Sequence, residues 1–262
     1  MNKKPLIFVT NDDGIDAPGI AALIEVAKKF GRVFVIAPSK PQSGVSHAIT
    51  IREPVFTEKV DLYPDTEAHK CSGTPVDCVK FGITKLLGVK PDLVVSGINH
   101  GSNASINVLY SGTIAAAMEG IIEGVPSVGF SFNRWEPTDD LELCKMVAGQ
   151  VIDAVLNDPL PEGILLNVNI PDIPAEEFKG IKICRQAKAY WLEEYIEVSS
   201  TNGHNCFMLA GEFLTNDDRD NTDLWALANN NASVVPIKLD ITAHSVIPTL
   251  LNMEKLTNIP NG

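Results

Sequence analysis

Several runs in this chain are apolar at successive positions rather than at every second one. Residues 5–10 (PLIFVT), 32–37 (RVFVIA) and 92–96 (DLVVS) are the clearest, and residues 127–132 (SVGFSF) and 164–170 (ILLNVNI) read as further strands. A strand with one wet face alternates apolar and polar side chains, so unbroken apolar runs belong to strands covered on both faces. Between them, residues 17–30, 74–87, 111–124 and 139–156 carry apolar positions at helical spacing. Such alternation predicts an α/β fold: a mostly parallel sheet with helices on both faces. In sheets of this kind ligands bind beyond the carboxyl ends of the strands.

The pattern changes after Pro171. Residues 179–185, 194–198 and 206–211 read as irregular strands in long hairpins, 234–239 as a last core strand, 246–256 as a short terminal helix and 258–262 as a frayed tail. Residues 48–57 and 60–71 read as short strands or loops within the core. The expectation is one domain over residues 1–262, with a C-terminal β-hairpin or tail extension from about residue 172.

Composition narrows the functional classes. The formal net charge of −12 disfavours nucleic acid as a partner. No apolar stretch is long enough for a membrane span, and the apolar run at the N-terminus is too short for a signal peptide. The five cysteines are odd in number and form no C-x-x-C, which argues against a disulfide framework or thiolate zinc site and for reduced thiols in the cytoplasm. An acidic protein that takes a small phosphorylated ligand needs a local positive site, and a bound metal ion is the obvious source.

The polar clusters fall where the fold rule puts ligands. Asn11, Asp12, Asp13 and Gly14 follow the first strand. Adjacent carboxylates that converge at a glycine turn suit Mg²⁺, Mn²⁺ or Ca²⁺; a plain turn with a helix N-cap accounts for the tripeptide equally. Ser39–Gly44 follows the second strand, where Ser43 and Gly44 can add an oxygen ligand and N–H donors, or simply form a surface loop. Ser96, Gly97, Asn99, Gly101 and Asn103 follow the strand at 92–96. Its two glycines permit close backbone approach to a ligand, and Asn99 offers a carbonyl oxygen or an amide; a glycine-rich connection is the alternative. Ser111, Gly112 and Thr113 open a helix, an anion-binding position or an ordinary cap. Thr74 and Pro75 read as a cap and first helical residue. The histidines form no H-x-x-x-H pair, and the acidic run at 217–220 reads as a solvated loop.

Taken together and in order, T-N-D-D-G-I-D-A-P-G at 10–19, A-P-x-x-x-x-S-G at 37–44, G-T-P-x-D-C-V at 73–79, S-G-I-N-x-G-x-N at 96–103 and S-G-T-x-x-A-A-x-E-G at 111–120 resemble the SurE nucleotidase family. The likeness continues through LNVNIP at 166–171 and thins thereafter, with a departure at residues 228–233 (ANNNAS), where the family usually carries a Gly-aromatic pair. The resemblance implies a Rossmann-like core and one divalent cation per subunit, Mg²⁺ or Mn²⁺, held by Asp12, Asp13, Ser43 and Asn99. It implies 5′- and often 3′-nucleotidase activity on nucleoside monophosphates, sometimes with polyphosphatase activity, and a C-terminal extension exchanged in a homodimer or homotetramer. In the mechanism this suggests, Asn11 stands beside the ligands to contact phosphate or hold a carboxylate. Ser111–Thr113 and the Gly97–Gly101 backbone orient the phosphate, and His100 is a candidate proton acceptor. The rivals are a covalent aspartyl-phosphate on Asp12 or Asp13 and a non-catalytic nucleotide sensor.

Overall fold

The computed structural model describes residues 4–201, 204–251 and 253. Its central strand is β1 (Leu6–Thr10), buried at every position. Around it lie β2 (Arg32–Pro38), β3 (Thr57–Val60), β4 (Glu67–Cys71), β5 (Leu93–His100), β6 (Ser127–Phe132), β7 (Ile164–Ile170), β8 (Gly180–Ile183) and β11 (Asn231–Lys238). They form one nine-stranded sheet in the order β3-β4-β2-β1-β5-β6-β7-β11-β8. All pairings are parallel except β3 with β4 and β11 with β7. The helices are α1 (Pro18–Ala27), α2 (Pro75–Phe81), α3 (Gly112–Ile122), α4 (Glu142–Asn157), α5 (Asp223–Ala228) and α6 (Ile247–Leu250).

The unbroken apolar runs are explained by two separate cores. Ile7, Val9, Val35 and Val95 point to one side, against Ile20 and Leu23 of α1 and Val147 and Val151 of α4. Their neighbours Leu6, Phe8, Phe34, Ile36 and Val94 point to the other, against Cys78 and Val79 of α2 and Ala116 of α3. Successive strand residues face opposite ways, so a sheet with helices on both faces needs apolar residues at both parities.

Most expected elements appear within a residue or two. The cap at Thr74 is present, reciprocated by Asp77, but α2 passes at Gly82 into a π-helical turn as far as Leu87. Two readings are corrected and one element was missed. The strand expected to end at residue 96 runs on to His100 across a register shift between Ser96 and Asn99. The two short strands at 194–198 and 206–211 are parts of one long antiparallel hairpin, β9 (Ala189–Thr201) with β10 (His204–Thr215), separate from the main sheet. The helix α5 was not foreseen: it spans only six residues, too few to show periodicity, and Thr222 caps it at Trp225 N–H. At the departure from the family pattern, Asn230 takes a left-handed φ of 64° after α5 and its carbonyl accepts the N–H of Lys179. Asparagine tolerates that conformation better than other residues with a Cβ. Of the expected terminal helix, Ile247–Leu250 is α-helical, and Leu251 and Met253 continue it as 3-10 helix among the described residues. The tail at 258–262 lies outside the described residues.

Candidate active site

At the carboxyl ends of β1, β2 and β5 the loops converge on a cleft of about 420 Å³, lined by Asp12, Asp13, Ser43, Gly44, Asn99, His100, Gly101, Ser102, Asn103, Asn107, Tyr110, Ser111, Trp135, Pro137 and Trp191. Three clusters far apart in the chain therefore share one space, because β1 is hydrogen-bonded to β2 on one side and β5 on the other.

The first turn is built by Asn11. Its Nδ2 donates to Gly14 O at 2.8 Å, and Gly14 N–H donates back to Asn11 Oδ1 at 3.2 Å. Gly14 sits at φ 104°, which a side chain would strain. The loop after β2 is tied to this turn: Gln42 N–H donates to Asp12 O at 2.8 Å, and Ile15 N–H to Pro38 O at 3.0 Å. That stitch brings Ser43 to the carboxylates. Ser46 closes the far side, donating through N–H and Oγ to the carbonyls of Tyr110 and Leu109 just before α3.

Asp12 is only 5% exposed. Burial and, second, the neighbouring Asp13 carboxylate push its carboxyl up from 3.8 to about 7, against the opposing pull of hydrogen bonds from Thr113. Thr113 Oγ donates to Asp12 Oδ1 at 2.5 Å. The start of α3 lies so close that a Cβ on Gly112 would stand 2.9 Å from Asp12 Cβ and 3.0 Å from its Oδ2. Glycine is required there to let the helix N-terminus reach the carboxylate. Asp13 receives the backbone N–H of His100 at 3.2 Å. The His100 ring lies with Nδ1 3.7 Å from Asp13 Oδ2, while Nε2 faces the N–H of Thr138 at 3.4 Å. An Nε2 that accepts from an N–H leaves the proton on Nδ1, turned toward Asp13.

Asn99 Nδ2 donates to Gly101 O at 2.7 Å, which fixes the amide and leaves Oδ1 as the end open to a ligand. Asn103 is held by a polar ladder. Its N–H donates to Asn169 Oδ1, its Nδ2 to Ser131 Oγ, and its carbonyl accepts from Asn167 Nδ2, each at 2.8 Å.

The donor set fits a hard divalent cation. Two adjacent carboxylates, one of them desolvated, repel each other until a positive charge stands between them. Among the described residues no three His, Cys, Asp or Glu side chains come together as a metal cluster. Further ligands here would be neutral oxygens, and Ser43 and Asn99 line the same cleft as the two carboxylates.

Five expected contact residues do not line the cleft. Asn11 is buried with its amide closed on Gly14, so it shapes the turn. Ser96 is fully buried in β5, its hydroxyl without a partner among the described residues. Gly97 (φ 127°) backs onto β6, where a Cβ would meet Phe130 O at 2.3 Å. Gly112 lies against Asp12, and Thr113 donates to it. Gly101 does line it, but its N–H is taken by Phe132 O at 3.0 Å. The aromatic lining of Tyr110, Trp135 and Trp191 was not foreseen; the signal available was that Trp135 follows β6 at the same carboxyl edge. Elsewhere, Asp217 is bound to both Arg185 and Arg219, whose guanidinium groups hold its carboxyl well below the usual carboxylate range.

An α/β protein with an oxygen-lined, carboxylate-bearing cleft at its central strand ends and a helix N-terminus beside it is the class that the fold and site define. Residues 7–193 match the family described as Survival protein SurE. The chain is 49% identical over 250 residues to the 5′-nucleotidase SurE of Flavobacterium johnsoniae, covering 95% of this chain and 96% of that one. It is 50% identical over 251 residues to the 5′-nucleotidase SurE of Christiangramia forsetii, with 95% and 96% covered. The crystal structure of the SurE protein from Aquifex aeolicus matches the fold with a TM-score of 0.81 at 39% identity, over 95% of this chain and 100% of that one. The chain belongs to the SurE family.

Proposed function

We propose that this chain is a divalent-metal-dependent phosphohydrolase that releases phosphate from nucleoside 5′-monophosphates, with one Mg²⁺ or Mn²⁺ per subunit at Asp12, Asp13, Ser43 and Asn99. One observation carries the reading: a pair of adjacent carboxylates, Asp12 buried and Asp13 beside it, shares a single cleft with neutral oxygens beside the N-terminus of α3. The name that the relatives bear, over nearly the whole chain, supports the substrate class.

The cation supplies positive charge that acidifies water and offsets charge on the phosphoryl oxygens. The chain's own residues orient the rest. Thr113 and the first turn of α3 hold Asp12 in place. Asn11 and Gly14 hold the turn that sets Asp13 beside it. Ser111, whose Oγ accepts the N–H of Ile114 at 3.0 Å, keeps its hydroxyl proton for a phosphate oxygen in the cleft. Gly44, with nothing within 4 Å of its Cβ position, offers backbone to the same space. His100 is turned to Asp13 and Thr138 and acts as a positioning residue.

The hairpin β9–β10 exposes Tyr190, Leu192, Tyr195, Ile196, Phe207, Met208 and Leu209. An apolar surface of this size supports self-association into a dimer or tetramer through the region after about residue 172. A cytoplasmic location is supported by the free, buried thiols of Cys71, Cys78, Cys144 and Cys184. Among the described residues no helix is long and apolar enough to cross a membrane.

The deciding experiment measures phosphate release from a panel of nucleoside monophosphates after EDTA treatment and desalting, then with Mg²⁺ or Mn²⁺ restored. Turnover is expected to vanish and return. Undiminished turnover in the stripped protein refutes the metal-dependent reading.

A further inference from the structure

The carboxylates and the start of α3 account for a phosphate and leave the aromatic lining of the cleft unexplained. Two of the chain's three tryptophans line this one cleft. They are not equivalent. Trp191, at the base of β9, donates Nε1–H to Asn107 Oδ1 at 2.8 Å and packs against the Phe213 ring at 5.1 Å. Its polar edge and part of its ring are already committed, and it reads as a wall.

Trp135 is different. It is 66% exposed, and its indole makes no hydrogen bond among the described residues. The six-membered ring lies over Gly101: a Cβ there would fall 3.0 Å from Cζ3 and 3.1 Å from Cε3. Only a glycine lets the indole settle on the backbone in this way. The loop that carries it is fastened on both sides, by Asn133 N–H to Ile170 O at 2.8 Å and by Thr138 N–H to His100 Nε2 at 3.4 Å. A large aromatic surface, backed by the main chain and held in place by its loop, is thus kept open to solvent in the cleft that holds the carboxylates.

We propose that Trp135 is the platform on which the nucleobase of the substrate stacks, so that the base and the phosphate are held in the same cleft. The inference rests on the nucleotidase reading above and deepens it. Stacking on a π-face uses no base-edge hydrogen bond, so it recognises purines and pyrimidines alike.

The test compares a nucleoside 5′-monophosphate with ribose 5-phosphate, which presents the same phosphate and sugar without a base, on the metal-loaded enzyme. In Trp135→Ala the ratio of kcat/KM for the nucleotide over that for ribose 5-phosphate is expected to fall by about tenfold, mostly through KM, and Trp135→Phe is expected to restore most of it. Nucleotide binding should also quench wild-type tryptophan fluorescence more strongly than that of Trp135→Phe. An unchanged ratio in Trp135→Ala, with both substrates affected equally, overturns the platform and makes Trp135 a support for its loop. Wild-type enzyme that turns over neither phosphate ester overturns the nucleotidase reading itself, which is a separate result.

Discussion

The charge buried at Asp12 has a consequence that can be measured without any substrate. With no cation present, folding must hide this carboxylate beside Asp13, and its carboxyl is displaced from 3.8 to about 7. A folded-state pKa above the unfolded value means that the folded protein binds the proton more tightly. The stabilising contribution is therefore complete below about pH 4, is lost as pH rises toward 7, and is flat above it. At about 1.4 kcal/mol per tenfold change, the whole displacement corresponds to about 4 kcal/mol, and about 2–3 kcal/mol of it falls between pH 5 and pH 7.5. Asp12→Asn removes the ionisable group while Oδ1 can still accept from Thr113. In EDTA, the variant is expected to be more stable than wild type, with a gap that widens by about 5–10 °C in Tm between pH 5 and pH 7.5 for a chain of this size. Saturating Mg²⁺ or Mn²⁺ is expected to invert the order, because the cation stabilises the folded wild type by mass action and the variant much less. The assay is thermal unfolding by circular dichroism at the two pH values, with and without metal. A gap in EDTA that does not change with pH refutes the argument, since other titrating groups are common to both proteins and cancel.

Thr113→Val should weaken metal binding, measured by calorimetry, by about tenfold, because it deletes the hydroxyl that holds Asp12, whereas Ser111→Ala should raise KM and weaken inhibition by inorganic phosphate with metal affinity unchanged. Equal effects of the two variants on metal affinity would show that the geometry does not separate their roles. Light scattering at micromolar concentration should give a mass at least twice the 28.3 kDa of one chain; a monomer would contradict the assignment of the exposed hairpin face to self-association.

Much of this protein was legible along the chain. Unbroken apolar runs and helical spacing are local properties, and they determined a two-faced, mostly parallel sheet before any contact was known. The fold rule then located Asp12, Asp13, Ser43, Asn99 and Ser111 at one edge, and all five line one cleft. What a residue does once it is there depends on its neighbours in space, which periodicity does not encode. Gly97 and Gly101 look alike in sequence; the pairing of β5 with β6 sets one against a carbonyl of Phe130, while the other lies beneath Trp135. Thr113 looked like part of a phosphate cradle, but the approach of α3 to β1 turns its hydroxyl onto Asp12. Asn11 looked free to touch substrate, but its amide closes the turn at Gly14. The hairpin was longer than its apolar residues suggested because, standing clear of the main sheet, it has no core face to impose alternation. Sequence thus located the carboxylates and several of the neutral oxygens at the cleft, but not its aromatic lining. Tertiary packing decided which of them are already bound to another part of the chain and which remain open to a ligand, because a hydrogen-bonding group committed inside the protein is no longer available outside it.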